Sequence, residues 1–353
     1  MIGRRLRSAR AAAGLSLRAL ATEMEHKVSA QAIGKYERDQ DMPRSGVLMA
    51  LSKALEVEVD YLLGEDDLQL ERVEFRKSPT ASRKAEARIE AQTLAFVERY
   101  LLIEEMLNLS TIEWKRPRGK AFRISSPEEA EVAARALRER WELGTDPIPK
   151  LAELLEEHGI KVISLRSADI DGLAAEVRRE GHPSIPVIMV NAEAWAERKR
   201  FTLAHELGHK ILNLAEGCNP ETAANRFAGA FLVPADVLRQ EIGAQRMDIS
   251  TGELVALKAR YGVSLQALTY RCKDLGIIRP ATYRRLFDHF DEEGWRRPPF
   301  KEPFFIPAER EAPKRFRRLC FRAMSEGLIG EGRAAELLGT TVHALEKELD
   351  GEV

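Results

Sequence analysis

The sequence contains two histidines and a glutamate with the spacing of a metal-binding helix. His205, Glu206 and His209 form an H-E-x-x-H motif inside the largely apolar stretch from residue 201 to residue 212. Residues four apart lie on one face of a helix, so His205 and His209 can bind the same zinc ion. Glu206 is then placed to act as general base toward a water activated by that metal. The alternative is a buried core helix with two hydrogen-bonded histidines.

A second helix, predicted between Pro220 and Pro234, supplies a third candidate ligand. Glu221 lies in its first turn and completes a His2Glu set, which is one of the ligand sets of catalytic zinc sites. Asn225, one turn further, is placed to orient a ligand histidine. The alternative role for Glu221 is that of a carboxylate favoured by the helix dipole. The buried face of this helix is predicted from apolar residues at helical spacing: Ala224, Phe227, Ala228 and Phe231.

These two segments resemble the ImmA/IrrE zinc metallopeptidases, bacterial enzymes that cleave transcriptional repressors. Arg200–His209 matches the family pattern R-F-T-L-A-H-E-L-G-H, and Glu221–Pro234 matches E-x-x-A-N-x-F-A followed by a proline. The resemblance implies Zn2+ as cofactor, with ligands at His205, His209 and Glu221. It also implies that Glu206 is the catalytic base.

The first 64 residues predict a compact helical module. Ser16 and Ser29 are typical helix N-caps, and Ser29–Arg38 fits the pattern S-x-x-x-I-x-x-Y-E-R with Pro43 following. This segment resembles the XRE-type helix-turn-helix of phage repressors, whose recognition helix lies in the major groove. The alternative is a module for protein binding or dimerisation. The resemblance implies these base-facing candidates: Ser29, Ala30, Gln31 and Lys35.

The distribution of charge supports local contact with DNA. Residues 1–55 carry ten Lys and Arg against five Asp and Glu, although the whole chain has a net charge of −1. A local positive surplus favours phosphate contact, and Arg5 and Arg10 on the first helix are candidates for it. Because the chain as a whole is not basic, DNA contact must be confined to this part. We expect a homodimer on a two-fold symmetric operator.

The rest of the chain predicts a mainly α fold with a small β-sheet, an α+β class. The predicted domains are a helix-turn-helix domain at 1–66, a zincin-like metallopeptidase domain at 67–247, and a helical C-terminal region with helix-turn-helix-like units at 248–353. A sheet edge is expected to hold an extended peptide substrate, and we place that edge within Gly172–Asn191. The predicted strands are Val73–Lys77, Lys161–Leu165, Gly172–Arg179 and Pro186–Asn191.

Composition indicates a cytoplasmic protein without a membrane partner. No apolar run approaches the ~20 residues of a membrane span. The N-terminal residues lack the apolar region of a secretory signal. The three cysteines are odd in number and widely spaced, as expected for a reducing compartment.

Together these patterns predict a DNA-binding transcriptional regulator whose zinc endopeptidase domain cleaves a repressor or other regulatory protein. The alternative is a non-catalytic repressor or antitoxin whose peptidase fold serves as a sensor or interaction module. The proline-rich stretch 296–307 contains Phe300, Phe304 and Phe305. It is either a linker whose aromatic side chains pack on the core or a segment that restrains the peptidase domain.

Overall fold

The structure is a computed structural model that describes residues 2–55, 57, 59–63, 68–77, 81–297 and 300–350. Within them the helices are, in chain order, α1 (Gly3–Ala12), α2 (Leu17–Glu23), α3 (Ala30–Tyr36), α4 (Ser45–Leu55), α5 (Val59–Leu63), α6 (Arg83–Met106), α7 (Ala130–Arg140), α8 (Leu151–Glu157), α9 (Ala196–Ile211), α10 (Pro220–Leu232), α11 (Ala235–Ile242), α12 (Thr251–Tyr261), α13 (Leu265–Asp274), α14 (Pro280–Glu292), α15 (Arg315–Ser325), α16 (Glu331–Leu338) and α17 (Val342–Leu349). The strands are β1 (Leu68–Lys77), β2 (Arg123–Ile124), β3 (Lys161–Leu165), β4 (Ile170–Arg179), β5 (Ile185–Asn191) and β6 (Asn213–Leu214).

The predicted fold class is confirmed, because helices dominate and the strands form two small sheets. The predicted strand at Val73–Lys77 is the second half of the longer β1. The predicted domain boundary between residues 66 and 67 lies outside the described residues. Among those that are described, no helix is both long and apolar enough to cross a membrane.

The chain divides into two compact units. The first comprises residues 1–114, 156–191 and 313–353, and the second comprises residues 115–155 and 192–312. Helix α8 crosses the division between them. The three predicted domain ranges follow the sequence rather than these units and stay predictions.

The first unit begins with the predicted helical module. Ser16 and Ser29 are N-caps as predicted, since their side chains accept hydrogen bonds from Ala19 N and Ala32 N. A single apolar cluster holds α1 to α5 together. Its fully buried members include Leu6, Leu20, Ile33, Leu51 and Leu62.

The first unit also contains the four-stranded sheet, in the order β1-β4-β5-β3. Strand β3 is parallel to β5, and the other two pairings are antiparallel. Strands β4 and β5 therefore each have neighbours on both sides, so the prediction of a sheet edge within Gly172–Asn191 is wrong. The edges are β1 and β3. The near-continuous apolar run of β5 is typical of a strand covered on both faces, which explains its central position.

The second unit contains α9 and α10, the two helices with the candidate metal ligands. It also contains the predicted helix-turn-helix-like pair α12 and α13. Helix α12 begins with a capping box between Ser250 and Glu253 and ends at Gly262, whose φ of 64° lies in the left-handed region. Helix α14, which the sequence analysis did not predict, follows this pair.

Residues 300–312 of the second unit, here called the strap, are held by two glutamates whose side chains are buried. Glu302 accepts hydrogen bonds from Lys258 Nζ at 3.1 Å and from Leu265 N at 2.8 Å. Glu311 accepts from Arg200 Nη1 at 2.7 Å and from Ala152 N at 2.7 Å. The three phenylalanines of the strap stay 37–60% exposed, but Phe305 packs edge-on against Trp195 at 4.8 Å and Phe300 lies under the guanidinium of Arg198.

Candidate metal centre

Helix α9 is buried along most of its length because its polar N-terminal half has charged partners. Arg200, 4% exposed, forms an ion pair with Glu311 and donates to Ile148 O at 2.7 Å. Glu197 forms an ion pair with Lys258 at 2.7 Å, one turn earlier. Buried charges without such partners would cost several kcal/mol each. These pairs therefore allow a helix with a charged first half to occupy the interior.

Close packing of α10 against α9 depends on a glycine inside the motif. A Cβ atom at Gly208 would lie 3.1 Å from Phe227 Cδ1 and 3.3 Å from Ala224 Cα. A larger residue at this position would require the Phe227 side chain and the backbone of α10 at Ala224 to shift. The H-E-x-x-H motif thus contributes a contact surface for α10 as well as its ligand candidates.

The start of α10 fixes the position of Glu221. Asn219 caps the helix, because its side-chain oxygen accepts from Thr222 N at 2.9 Å, and Pro220 occupies the first helical position. Glu221 follows in the first turn, where its side chain is 70% exposed. The carboxylate therefore reaches the histidines from the solvent side.

The structure brings the three predicted ligand side chains together. His205 Nε2 and His209 Nε2 lie 3.0 Å apart, and the carboxylate oxygens of Glu221 lie 3.4 Å and 3.3 Å from these two nitrogens. Ligand atoms in a tetrahedral zinc site with bonds of about 2.0–2.1 Å are separated by about 3.3 Å. The donor types and their spacing therefore fit zinc. Within the described part of the chain, this is the one group of three such side chains close enough to share a metal ion.

Asn225 lies where the sequence analysis placed it. His205 Nδ1 and Asn225 Oδ1 are 2.9 Å apart, and an amide oxygen can only accept a hydrogen bond. The proton of His205 then resides on Nδ1, which leaves the Nε2 lone pair directed toward His209 and Glu221. This is the tautomer that a metal ligand requires.

Glu206 follows His205 on α9 and is 4% exposed. Its backbone position is fixed by the same packing that fixes the two histidines. Consecutive helical residues are about 100° apart around the axis, so Glu206 lies beside the side of α9 that carries His205 and His209. The general-base role of Glu206 stays a prediction.

Two arginines that the sequence analysis missed stabilise the C-terminal end of α10. Arg138 Nη1 donates to Phe231 O at 2.6 Å, and Arg271 Nε donates to Val233 O at 3.1 Å. Arg271 and Arg226 also pair with Glu131. Burial alone would raise the pKa of Glu131, but hydrogen bonds and charge from these arginines hold its pKa below the ordinary value. No local pattern in the sequence signals these contacts.

The candidate DNA-binding residues differ in how far they remain available. On α3, Gln31 and Lys35 are exposed and Ala30 is half-buried, whereas Ser29 uses its hydroxyl as the N-cap. Arg10 forms a bidentate ion pair with Glu37 and also donates to Leu15 O at 2.8 Å. All three guanidinium nitrogens of Arg10 are therefore engaged within the module, and its contact with phosphate stays a prediction.

Arg5, the other predicted phosphate contact, also has partners inside the first unit. It donates to Tyr61 O at 3.1 Å and lies 3.5 Å from the carboxylate of Glu98. Its guanidinium stacks over the Tyr61 ring at 5.0 Å. The first helix therefore uses Arg5 for packing, and Arg7 on the same helix is exposed.

Comparison with known families agrees with both resemblances. The model of the IrrE N-terminal-like domain matches residues 155–273, and the helix-turn-helix model matches residues 6–62. The chain therefore combines an XRE-type helix-turn-helix DNA-binding domain with a domain of the ImmA/IrrE-like metallopeptidase fold. A comparison with curated proteins finds no match.

Proposed function

We propose that this protein is a DNA-binding regulator whose second domain is a zinc-dependent endopeptidase that cleaves a repressor or other regulatory protein. The observation that supports this most strongly is the convergence of His205 Nε2, His209 Nε2 and the Glu221 carboxylate at 3.0–3.4 Å. Two histidines that merely shared a hydrogen bond in a core would not need the carboxylate. The spacing of these three donor atoms supports a metal site.

His205, His209 and Glu221 would hold the zinc, and Asn225 would keep His205 in the ligating tautomer. Bound zinc would polarise the scissile carbonyl and lower the pKa of a coordinated water toward ~7. The carboxylate of Glu206 would take a proton from the attacking water and deliver it to the nitrogen of the leaving amine. The solvent-exposed side of Glu221 is where a peptide can approach.

For the helix-turn-helix domain, we propose that α3 reads operator DNA as part of a homodimer. Gln31 can form paired hydrogen bonds with adenine, and Lys35 can donate to guanine. Both side chains are exposed, which base contact requires. The domain would bring the peptidase to its regulatory target or be controlled by that cleavage.

Zinc content and cleavage, measured on the same variants, test the role of each residue. We expect about one zinc per chain in the wild type and loss of zinc in His205→Ala and His209→Ala. Glu206→Gln should keep the zinc and abolish cleavage, because it removes a base and not a ligand. Glu216→Gln, at an exposed glutamate of the intervening loop, is the matched control and should change neither property.

The substrate is sought by comparing the proteomes of cells that express the wild type or Glu206→Gln. A regulatory protein shortened only in the wild-type cells supports the proposal. If Glu206→Gln loses zinc while Glu221→Ala retains it fully, the assignment of ligand and base is overturned. If zinc-loaded wild type shortens no protein, the endopeptidase proposal fails.

A further inference from the structure

A dense run of positive charge begins the second unit. Five of the nine residues from 115 to 123 are Lys or Arg, and the next acidic residue is Glu128. Within the described chain, none of these five side chains forms an ion pair, and their one hydrogen bond to protein joins Arg116 Nη2 to Leu212 O at 3.3 Å. Arg200, Arg226 and Arg271 of the same unit are all paired with glutamates. Within the described chain no ion pair offsets the positive charge of residues 115–123, although Glu113 lies two residues before the run.

Part of this run forms the wall of a groove on the second unit, here called the basic groove. Its volume is about 330 Å³. Its lining combines three arginines with the largely buried Phe122 and Ile211, which supply an apolar floor. The lining residues on which the inference depends are Arg116, Arg118, Arg123, Phe122, Ile211 and Asn213.

The basic groove lies at the C-terminal end of the helix that carries the candidate ligands. Ile211 is two residues beyond His209 on α9, and β6, which follows at Asn213–Leu214, pairs in parallel with β2 at Arg123–Ile124. A helix rises 1.5 Å per residue, whereas an extended peptide advances about 3.3 Å per residue. Ile211 therefore lies about 3 Å beyond His209 along the helix axis, which is about the advance of one residue of an extended peptide.

We infer that the basic groove binds an acidic side chain of the peptide substrate and thereby selects substrates that carry Asp or Glu near the scissile bond. This inference rests on the proposed peptidase function. Arg118 and Arg123 can pair with a carboxylate through their planar forks, and the apolar floor accommodates the methylene stem of a glutamate. The phosphates of a nucleic acid would form ion pairs with the arginines but would make no contact with the apolar floor. An acidic peptide, which can make both interactions, therefore fits the groove better.

Cleavage profiling of a mixed-sequence decapeptide library by zinc-loaded full-length protein tests the inference. We expect Asp and Glu to be enriched at one fixed distance from the scissile bond, with kcat/KM about tenfold higher than for Asn or Gln there. The double variant Arg118→Glu, Arg123→Glu should lose this preference and favour Lys or Arg at the same position. Arg140→Glu introduces the same change at an exposed arginine outside the groove and should retain the wild-type preference.

Binding to the zinc-loaded Glu206→Gln protein separates the two proposals. The probes are a fluorescent Glu-Ala repeat peptide and its Gln-Ala counterpart at physiological salt. Cleavage without acidic preference, or an unchanged preference in the double variant, overturns the groove and leaves the peptidase proposal intact. If the protein cleaves no peptide, but binds the Glu-Ala peptide and loses that binding in the double variant, then the basic groove binds acidic peptides and the endopeptidase proposal is rejected. If charge reversal weakens duplex DNA binding but not peptide binding, the groove serves nucleic acid and the inference is wrong.

Discussion

The helix with the candidate metal ligands and the helix proposed to read DNA are embedded in opposite ways. Twelve of the sixteen residues of α9 are buried, whereas only three of the seven residues of α3 are. A metal centre needs ligand positions fixed to a fraction of an ångström, and surrounding protein supplies that rigidity. A reading helix must keep its polar face in solvent for a partner. Burial is therefore a requirement of the first function and an obstacle to the second.

The two helices also differ in whether their charged and polar side chains are buried or exposed. Charged residues of α9, such as Arg200 and Glu197, are buried and paired. The candidate DNA contacts of α3, Gln31 and Lys35, remain exposed. Substitutions on α9 and its partners should therefore change stability and metal affinity, and substitutions on the exposed face of α3 should change DNA affinity alone.

The largest effect is expected from Glu311→Ala. This variant leaves Arg200 buried without its carboxylate, which should lower the free energy of unfolding by about 3–5 kcal/mol. Urea unfolding followed by circular dichroism measures it. Glu309→Ala, an exposed glutamate of the strap, is the matched control and should unfold like the wild type. Equal midpoints for Glu311→Ala and Glu309→Ala would contradict the importance of the buried pair.

Glu311→Ala also shows whether the strap supports the peptidase domain or restrains its activity. Truncation after Glu293 would remove both anchoring glutamates and so would confound the two roles. The cleavage rate of Glu311→Ala is measured below its unfolding transition and at equal zinc loading. If the strap supports the peptidase domain, this variant should cleave more slowly than the wild type. If the strap restrains that domain, the variant should cleave faster. An unchanged rate would reject both roles.

Asn225→Ala is expected to have the next largest effect, on metal affinity. Losing the acceptor for His205 Nδ1 should weaken zinc binding by about 10–100-fold. Competition with a chromophoric chelator measures this change. Asn225→Asp keeps an acceptor oxygen and should stay close to wild type. An Asn225→Ala protein with wild-type affinity would mean that packing alone orients His205.

On the DNA side, Gln31→Ala should cost about 1–3 kcal/mol per half-site and relax base preference at one position. Because Gln31 is exposed, the melting temperature should not change. Selection of bound sequences followed by titration measures both affinity and preference. Arg10→Ala should instead lower the melting temperature, since it breaks the pair with Glu37. A loss of stability in Gln31→Ala would weaken the contrast between the two helices.

The smallest effect is expected on acidification. The pKa of Glu131 is lowered by Arg271 and Arg226 despite burial, so its contribution to stability is present above its ordinary pKa of 4.5. That contribution is lost as the pH falls through the lower folded pKa. The difference in melting temperature between wild type and Glu131→Gln should therefore be largest near neutral pH and shrink below pH 4.5. If the difference in melting temperature does not change with pH, then Glu131 stabilises the fold by packing and neutral hydrogen bonds rather than by its charge.

Local patterns were sufficient for the residues that lie close together in the chain. The spacing of His205 and His209 on one helix, and of Glu221 and Asn225 on another, predicted which side chains the structure brings together. The caps at Ser16 and Ser29 were predicted for the same reason, since a cap acts within three residues.

Contacts between distant segments were not predictable in this way. Strands β4 and β5 are central because β1 and β3 pair with their outer sides. The sequence of one strand does not show which other strands will pair with it. The pairing of Arg10 with Glu37 was not predicted, because the two residues are 27 positions apart in the chain. The phenylalanines of the strap stood out in the sequence. The two glutamates that anchor it did not, because their partners are far away in the chain.

The ion pair between Arg200 and Glu311 has a consequence for newly made protein. The two residues are 111 positions apart, and the carboxylate is the later one to be synthesised. At about 5–20 residues per second, a ribosome needs roughly 6–22 s to travel that distance. During this interval Arg200 lacks its carboxylate partner and has only backbone acceptors such as Ile148 O, while the helix-turn-helix module has already been made. The helix-turn-helix module of each new molecule is therefore synthesised before the domain of the metallopeptidase fold has received its last buried ion pair.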